Sequence, residues 1–249
     1  MHLRHQVATG GDTSPAPVID VERKLSVLSA NVMPLTAGRY IMKQIFPDLW
    51  QTSAEHPFGP EMSTHAYLLI REAGNVLFYS SGHSIEHQNI LHLGGIIRQY
   101  LSQRDEAGIA LLQIKQMFGS MLCCHKLEEA AISAACPVDL TFSTREFHLG
   151  DIEIIPTPGH TDGSTCFMCK SQHGLSYLFT GDTIFPDDDS WGTYVSGKHR
   201  HTLRESLGSL RGLEPDVVLS SASNGPYSFR EMLPGQWQEI VDRVAQTLS

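Results

Sequence analysis

The sequence predicts an α+β fold in which two β-sheets pack face to face and helices cover them on the outside. Three observations lead there. Short β-type runs recur in both halves of the chain, helical patterns lie between and after them, and no low-complexity insert or short repeat breaks the order. A chain of 249 residues with 41% apolar and 18% charged content can bury its core within one domain. Residues 1–20 are rich in Gly, Pro, Ser and Thr and too poor in apolar side chains to anchor themselves. We therefore expect a mobile tail at 1–20 and a single domain over 21–249.

The elements follow in order. After Asp48, LWQTS, HAYLLIRE and VLFYSS read as β runs, the last two joined at Gly74-Asn75 as an antiparallel hairpin. IIRQYLS (96–102) is followed by the helix-like IALLQIKQMF (109–118), the apolar run MLCC (121–124) and the short helix LEEAAISAA. The second half repeats this order. FHLGDIEIIPTP forms a hairpin around Gly150-Asp151, STCFMCK and LSYLFTGD are strands, RESLGSL is a helix and VVLSS a last strand. The chain closes with GQWQEIVDRVAQTL, where Trp237, Ile240, Val241, Val244 and Leu248 fall at helical spacing.

Composition excludes several classes of function. A net charge of -9 without a concentrated basic stripe argues against nucleic acid. No window approaches the roughly 20 apolar residues of a membrane span, and the opening residues lack the apolar stretch of a secretory signal, so a cytoplasmic protein is expected. Five cysteines, two of them adjacent at Cys123-Cys124, suit free thiols in a reducing compartment. Cys166 and Cys169 have CxxC spacing but lie in a strand-like run with no second pair, and read as packed thiols. The acidic surface and the Trp191-Tyr194 region are compatible with a homodimer.

Chemistry should gather on the loops at strand ends. TPGHTDGS places His160 in a glycine turn after a strand, and FTGDTIF places Asp182 in the same situation. A Pro-Gly turn accounts for one such stretch by its own geometry; two of them, each with a metal-ligand type of side chain, weaken that account.

TPGHTDGSTCF and LFTGDTIF resemble the third and fourth motifs of the metallo-β-lactamase superfamily, in its glyoxalase II-like branch, over roughly residues 48–245. The resemblance implies a four-layer αββα sandwich and metal-dependent hydrolysis, with His160 binding one ion and Asp182 bridging two. It also exposes departures. Where the family has HxHxDH, this chain has QRDEAG: Gln103 and Asp105 stand in place of the first two histidines, and Ala107 and Gly108 replace the aspartate and the last histidine. The fifth motif, a histidine after the last strand, falls on Ser221, Ala222 and Ser223. YSSGH also lacks the aspartate that the family often carries before its glycine.

A two-ion centre has therefore lost its second-site ligands other than Asp182. Asp105, His160 and Asp182, with Gln103 as a fourth oxygen donor, would make a set of one nitrogen and three oxygens that favours a harder divalent ion such as Mn, Fe or Mg over tight structural zinc; at most one ion, Zn, Fe or Mn, is expected. Asp105 and Glu106 also suit capping of the helix that follows them. Two functional expectations result: a hydrolase of an ester, thioester or lactone with at most one metal ion, in which Asp105 or Asp182 orients the attacking water, or an inactive descendant that binds a small molecule or a protein partner. His65 and His83 are expected to be structural or surface residues near the active face, His125 to mark a helix entry, and Asp187-Asp188-Asp189 to form a solvated acidic loop. Ser220, Ser221 and Ser223 lack the GxSxG elbow of a serine nucleophile.

Overall fold

In both β layers the odd and even residues of each strand part company, and this alternation builds the architecture. The computed structural model describes residues 42–225 and 227–248, all within one compact unit, Arg39–Ser249. The expected tail at 1–20 and the start of the expected domain lie outside the described residues.

The first sheet contains β1 (Lys43–Phe46), β2 (Leu49–Gln51), β4 (Tyr67–Leu69), β5 (Val76–Phe78), β6 (Arg98–Tyr100), β7 (Met121–His125) and β8 (Leu140–Phe142), in the order β1-β2-β4-β5-β6-β7-β8. Its first four strands pair antiparallel, and β5 to β8 run parallel. The second sheet contains β9 (Glu146–His148), β10 (Ile152–Pro156), β11 (Thr165–Lys170), β12 (Ser176–Gly181), β15 (Val217–Ser220) and β17 (Phe229–Glu231), ordered β17-β15-β12-β11-β10-β9. A small third sheet, β14-β13-β16-β3, joins Ser190–Gly192, Phe185–Asp187, Ala222–Asn224 and Met62–Thr64.

Strand periodicity of two assigns each side chain a layer. Tyr177 and Phe179 of β12 and Val217 and Leu219 of β15 enter the core between the sheets, together with Tyr67, Phe78 and Phe167. Leu178 and Val218, one residue out of phase, face outward onto a second cluster. That cluster takes Leu203, Leu207 and Leu210 from one helix, Arg200–Leu210, and Trp237, Ile240, Val241 and Val244 from another, Gln236–Thr247. On the far side, Leu122 and Cys124 face outward onto Leu111 of the helix Ile109–Phe118 and Ile132 of the helix Glu129–Ser133, while Cys123 faces inward. The layers are helix, sheet, sheet, helix, the αββα sandwich that the resemblance implied. Phe78 and Phe179 join the two sheets with stacked rings 3.8 Å apart.

The same alternation settles the cysteines. Cys166 belongs to the outer cluster and Cys169 to the inner one, so the CxxC pair points to opposite faces of β11 and cannot chelate one ion. All five cysteines are free and buried.

Two expectations need correction. VVLSS is not the last strand, because β16 and β17 follow it. SIEHQNILH, to which the sequence pattern assigned no element, forms the helix Ser84–His92. Its buried residues are Glu86, His87 and Ile90, so its inward face is largely polar and shows no apolar period. Glu86 accepts from Ser53 N at 2.9 Å, and His87 Nε2 meets Ser81 O at 2.9 Å. Among the described residues no helix is long and apolar enough to cross a membrane.

Asp139 ties the end of helix Ile109–Phe118 to β7, accepting from Lys115 Nζ at 2.7 Å and from Leu122 N at 2.8 Å. Burial pushes its carboxyl up, but the Lys115 and Leu122 hydrogen bonds outweigh it and hold the group below its ordinary range. A carboxylate with a lowered folded pKa contributes stability that is present above the unfolded value, about 4, and is lost as pH falls through the folded value. Urea midpoints measured from neutral pH down to about 3 should therefore fall less steeply for Asp139→Asn than for the parent. Parallel slopes would show that Asp139 carries none of the acid sensitivity.

Candidate functional site

Four loops at one end of the two sheets carry the site. Gln103 follows β6, His160 follows β10, Asp182 follows β12 and Ser221 follows β15. Each loop is held by its own short-range bonds. After β6 the chain turns through one 3-10 turn, Arg104–Glu106, capped by Gln103 Oε1, which accepts from Asp105 N at 3.0 Å. After β10, Thr157 N donates to Ser164 O at 2.7 Å and Gly159 N to Thr161 O at 2.9 Å, closing the turn under His160.

The structure brings Asp105, His160, Asp182 and Gln103 together. His160 Nε2 lies 3.5 Å from Asp105 Oδ2 and 3.7 Å from Asp182 Oδ2. Gln103 Nε2 donates to Asp182 Oδ2 at 2.7 Å, and Ser221 Oγ donates to Asp182 Oδ1. His160 Nδ1 contacts the carbonyl of Tyr194 at 2.9 Å, a bond that a carbonyl accepts only from a protonated nitrogen. In the neutral ring Nε2 then carries the lone pair, and this atom is buried without a hydrogen-bond partner while facing two carboxylates. Such an arrangement requires a positive species between them, either a proton or a cation.

The electrostatics agree. Burial pushes the Asp182 carboxyl above its ordinary range despite His160, Ser221 and the amide of Ala222. Burial lowers the His160 imidazole, but Asp105, Asp182 and the Tyr194 carbonyl outweigh it and raise the group overall. Asp105, 51% exposed, is held below its ordinary range chiefly by the neighbouring imidazole.

Neither Asp105 nor Glu106 caps the following helix, which begins after Gly108 with no side-chain cap. Glu106 turns back instead, its Oε2 accepting from Ser102 N at 3.1 Å, and burial holds its carboxyl well above the usual range. His65 lines the cavity beside the site, anchored by Nδ1 on Thr52 O at 2.8 Å. His83 sits at the start of helix Ser84–His92 and does not line this cavity. His125 Nδ1 accepts from Leu127 N at 3.2 Å, in keeping with a helix entry. The expected acidic loop is partly ordered into β13, where Asn224 Nδ2 donates to Asp187 at 2.9 Å. Ser220 and Ser223 are committed to Ser228 O and Ser63 Oγ.

Sequence reasoning missed the residue that fixes the loops relative to one another. Glu128, fully buried, accepts from Arg104 N at 3.0 Å, Arg104 Nε at 2.6 Å and Nη2 at 2.9 Å, and from Gly163 N at 2.7 Å. It thereby ties the loop of Asp105 to the turn of His160. No local pattern announces a contact between residues 128 and 163, so no signal in the sequence would have found it.

A cavity of about 340 Å³ opens beside Asp182, Gln103 and Asp105, walled by Tyr79, Ala110, Ile109 and Phe58. The last two are 79% and 61% exposed and form an apolar rim.

No family model and no curated protein matches the chain. Solved structures do. A metallo-β-lactamase from Pontibacter korlensis superposes with a TM-score of 0.64 at 17% identity, covering 84% of this chain and 99% of that one. GOB-18 from Elizabethkingia meningoseptica superposes at 0.61 and 17% identity, covering 84% and 91%. A Cronobacter sakazakii metallo-β-lactamase with an HARLDQ motif superposes at 0.57 and 17% identity, covering 73% and 80%. The chain has the metallo-β-lactamase fold.

The fold family raises the question of metal. The residues do not fit a two-ion centre, because Ala107, Gly108 and Ser221 supply no ligand on the second side. They do fit the chemistry of one cation, through the orphaned His160 Nε2 and its two facing carboxylate oxygens. The oxygen of Gln103 is committed to the Asp105 amide. Among the described residues no group of three His, Cys, Asp or Glu side chains stands ready-made around an ion position.

Proposed function

We propose that the chain is a hydrolase-like protein of the glyoxalase II-like kind, acting on an ester, thioester or lactone with at most one divalent ion, Zn, Fe or Mn. The observation that carries this reading is the unpartnered His160 Nε2 facing Asp105 Oδ2 at 3.5 Å and Asp182 Oδ2 at 3.7 Å beside a partly apolar cavity. A bound ion would supply Lewis acidity toward the carbonyl of the substrate. The remaining work falls to the chain. Asp105, the exposed member, orients the attacking water and accepts its proton. Asp182, held by Gln103 and Ser221, keeps its charge aimed at the imidazole. The Tyr194 carbonyl fixes the tautomer and plane of His160. The substrate's apolar part lies over Ile109 and Phe58. A Cronobacter sakazakii metallo-β-lactamase with an HARLDQ motif and a B3 metallo-β-lactamase with an active-site glutamic acid support the use of non-histidine residues on this fold.

Metal analysis of protein purified without chelator tests the reading. About one equivalent is expected, lost in His160→Ala along with turnover of acyl substrates. A second reading, a catalytically silent module that binds a small molecule, is favoured by the neutral donors on both Asp182 oxygens. Absence of metal and of turnover across an ester, thioester and lactone screen would select it.

A further inference from the structure

Tyr79, the first residue beyond β5, has a backbone φ of 69°, a conformation that an aromatic residue keeps only where its surroundings enforce it. Two bonds do so. Tyr79 N donates to Tyr100 O at 2.8 Å, and Nε2 of the buried Gln99 donates to Tyr79 O at 2.8 Å. The ring meets Tyr67 and, from the second sheet, Phe179 edge-on, with centroids 5.9 and 6.4 Å away. Its hydroxyl then accepts from Gly181 N at 2.8 Å and donates to Leu219 O at 3.0 Å.

Both partners lie at a fault in the second sheet. β12 and β15 pair at Phe179 with Leu219 and next at Gly181 with Ser220, so β12 carries one extra residue, Thr180, between them. Such a bulge interrupts the ladder and re-aims the side chains beyond it. The Tyr79 hydroxyl fills the interruption, as acceptor for one strand and donor to the other. Asp182 is the next residue after Gly181, and Ser221, whose N donates to Gly181 O at 3.2 Å, directly follows β15. Gln103 and Ser221 hold the oxygens of Asp182; Tyr79 holds the backbone from which that side chain springs.

We infer that Tyr79 is a positioning residue of the site: its hydroxyl, wedged into the bulge between β12 and β15, fixes the backbone that aims Asp182 at His160. It acts through Asp182 and not on a reacting atom. The inference rests on the hydrolase reading only for its effect on turnover, since the wedge is a matter of hydrogen bonds and strand register.

Tyr79→Phe removes the hydroxyl and keeps the ring. Gly181 N and Leu219 O are then stranded in a buried ladder, and they satisfy each other only if the bulge closes and Asp182 moves. Tyr67→Phe is the control, because its equally buried hydroxyl also crosses to the second-sheet side, donating to Ser228 O at 3.1 Å, and bonds neither Gly181 nor Leu219. The side-chain amide of Gln103, which reports on Asp182 Oδ2, and the backbone amide of Gly181 should both shift in nitrogen–proton spectra of Tyr79→Phe and stay in place in Tyr67→Phe. With the hexanoyl thioester of N-acetylcysteamine as probe, kcat should fall at least about tenfold in Tyr79→Phe with KM within about twofold, and change by less than about twofold in Tyr67→Phe. An unmoved Gln103 amide in Tyr79→Phe, or equal changes in the two variants, would overturn the inference and leave the hydrolase reading intact. If the parent does not hydrolyse the thioester, that reading loses its support and the two amides alone decide the role of Tyr79. Shifted amides with unchanged turnover would uphold the wedge and remove Asp182 from the reaction. If Tyr79→Phe does not fold, 3-fluorotyrosine at position 79 keeps the hydroxyl and weakens it as an acceptor. A joint shift of the two amides then upholds the inference, and an unmoved Gln103 amide overturns it.

Discussion

Glu128→Ala should destabilise the fold by about 2–4 kcal/mol and disconnect the loops of Asp105 and His160. The side chain is 1% exposed, whereas its partner Arg104 is 36% exposed. Truncation leaves the Arg104 and Gly163 amides without their acceptor and strands a guanidinium that can partly recover hydration. That partial exposure places the expected loss below the figure for a fully buried pair. The space beside Gly163 also opens, since a Cβ there would lie only 2.6 Å from Glu128 Oε1. Glu128→Gln keeps the shape and one acceptor and should lose less. Urea unfolding of the two variants checks the order, and amide spectra of the 103–108 and 157–164 loops check the disconnection. Stability within about 0.5 kcal/mol of the parent, the range of an ordinary surface substitution, would remove Glu128 from the framework.

The sandwich was legible in the sequence because β-strand alternation and helical spacing are local. LSYLFTGD and VVLSS show both of their buried faces in a run of apolar residues, and the terminal helix shows its apolar stripe from Trp237 to Leu248. The helix Ser84–His92 was not legible, because its inward face is Glu86 and His87, whose partners Ser53 and Ser81 come from other segments. Short strands such as β13 and β16 pair in register only at Asp187 and Asn224, a contact that no periodicity encodes. At the site, the motifs around His160 and Asp182 marked two loops, and Gln103 and Asp105 followed from the alignment of QRDEAG. What the sequence could not show is which way an amide points. Gln103 gives its N–H groups to Asp182 and its oxygen to the Asp105 backbone, a choice made by neighbours in space. Glu128 was invisible for the same reason, its role depending on Arg104 and Gly163 arriving from opposite sides.

Gly159→Ala should cost about 2–5 kcal/mol and displace His160, the largest effect expected from adding a single methyl group here. Gly159 adopts φ +148, a conformation that side chains rarely accept, and its Cα rests on helix Arg200–Leu210. A Cβ would come within 2.6 Å of Leu203 Cβ and 2.7 Å of Leu203 Cα. The second contact is with helix backbone, so no rotamer change relieves it. Leu203 is fully buried in the outer core, and Ser206 Oγ on the same helix donates to Pro158 O at 2.7 Å, which fixes the turn to the helix. The turn can relax only by lifting away, and that movement draws His160 Nδ1 from the Tyr194 carbonyl and Nε2 from Asp105 and Asp182. Gly163→Ala and Gly181→Ala crowd side-chain atoms of Glu128 and Ser102. Gly174→Ala is the control for backbone conformation, since Gly174 has φ +91 with nothing within 4 Å of an added Cβ. It should lose only the roughly 1–2 kcal/mol of the positive-φ penalty. Thermal and urea unfolding of the Gly159 and Gly174 variants separates crowding from strain. Equal losses would mean that the helix yields, and that His160 is not held in place by this contact.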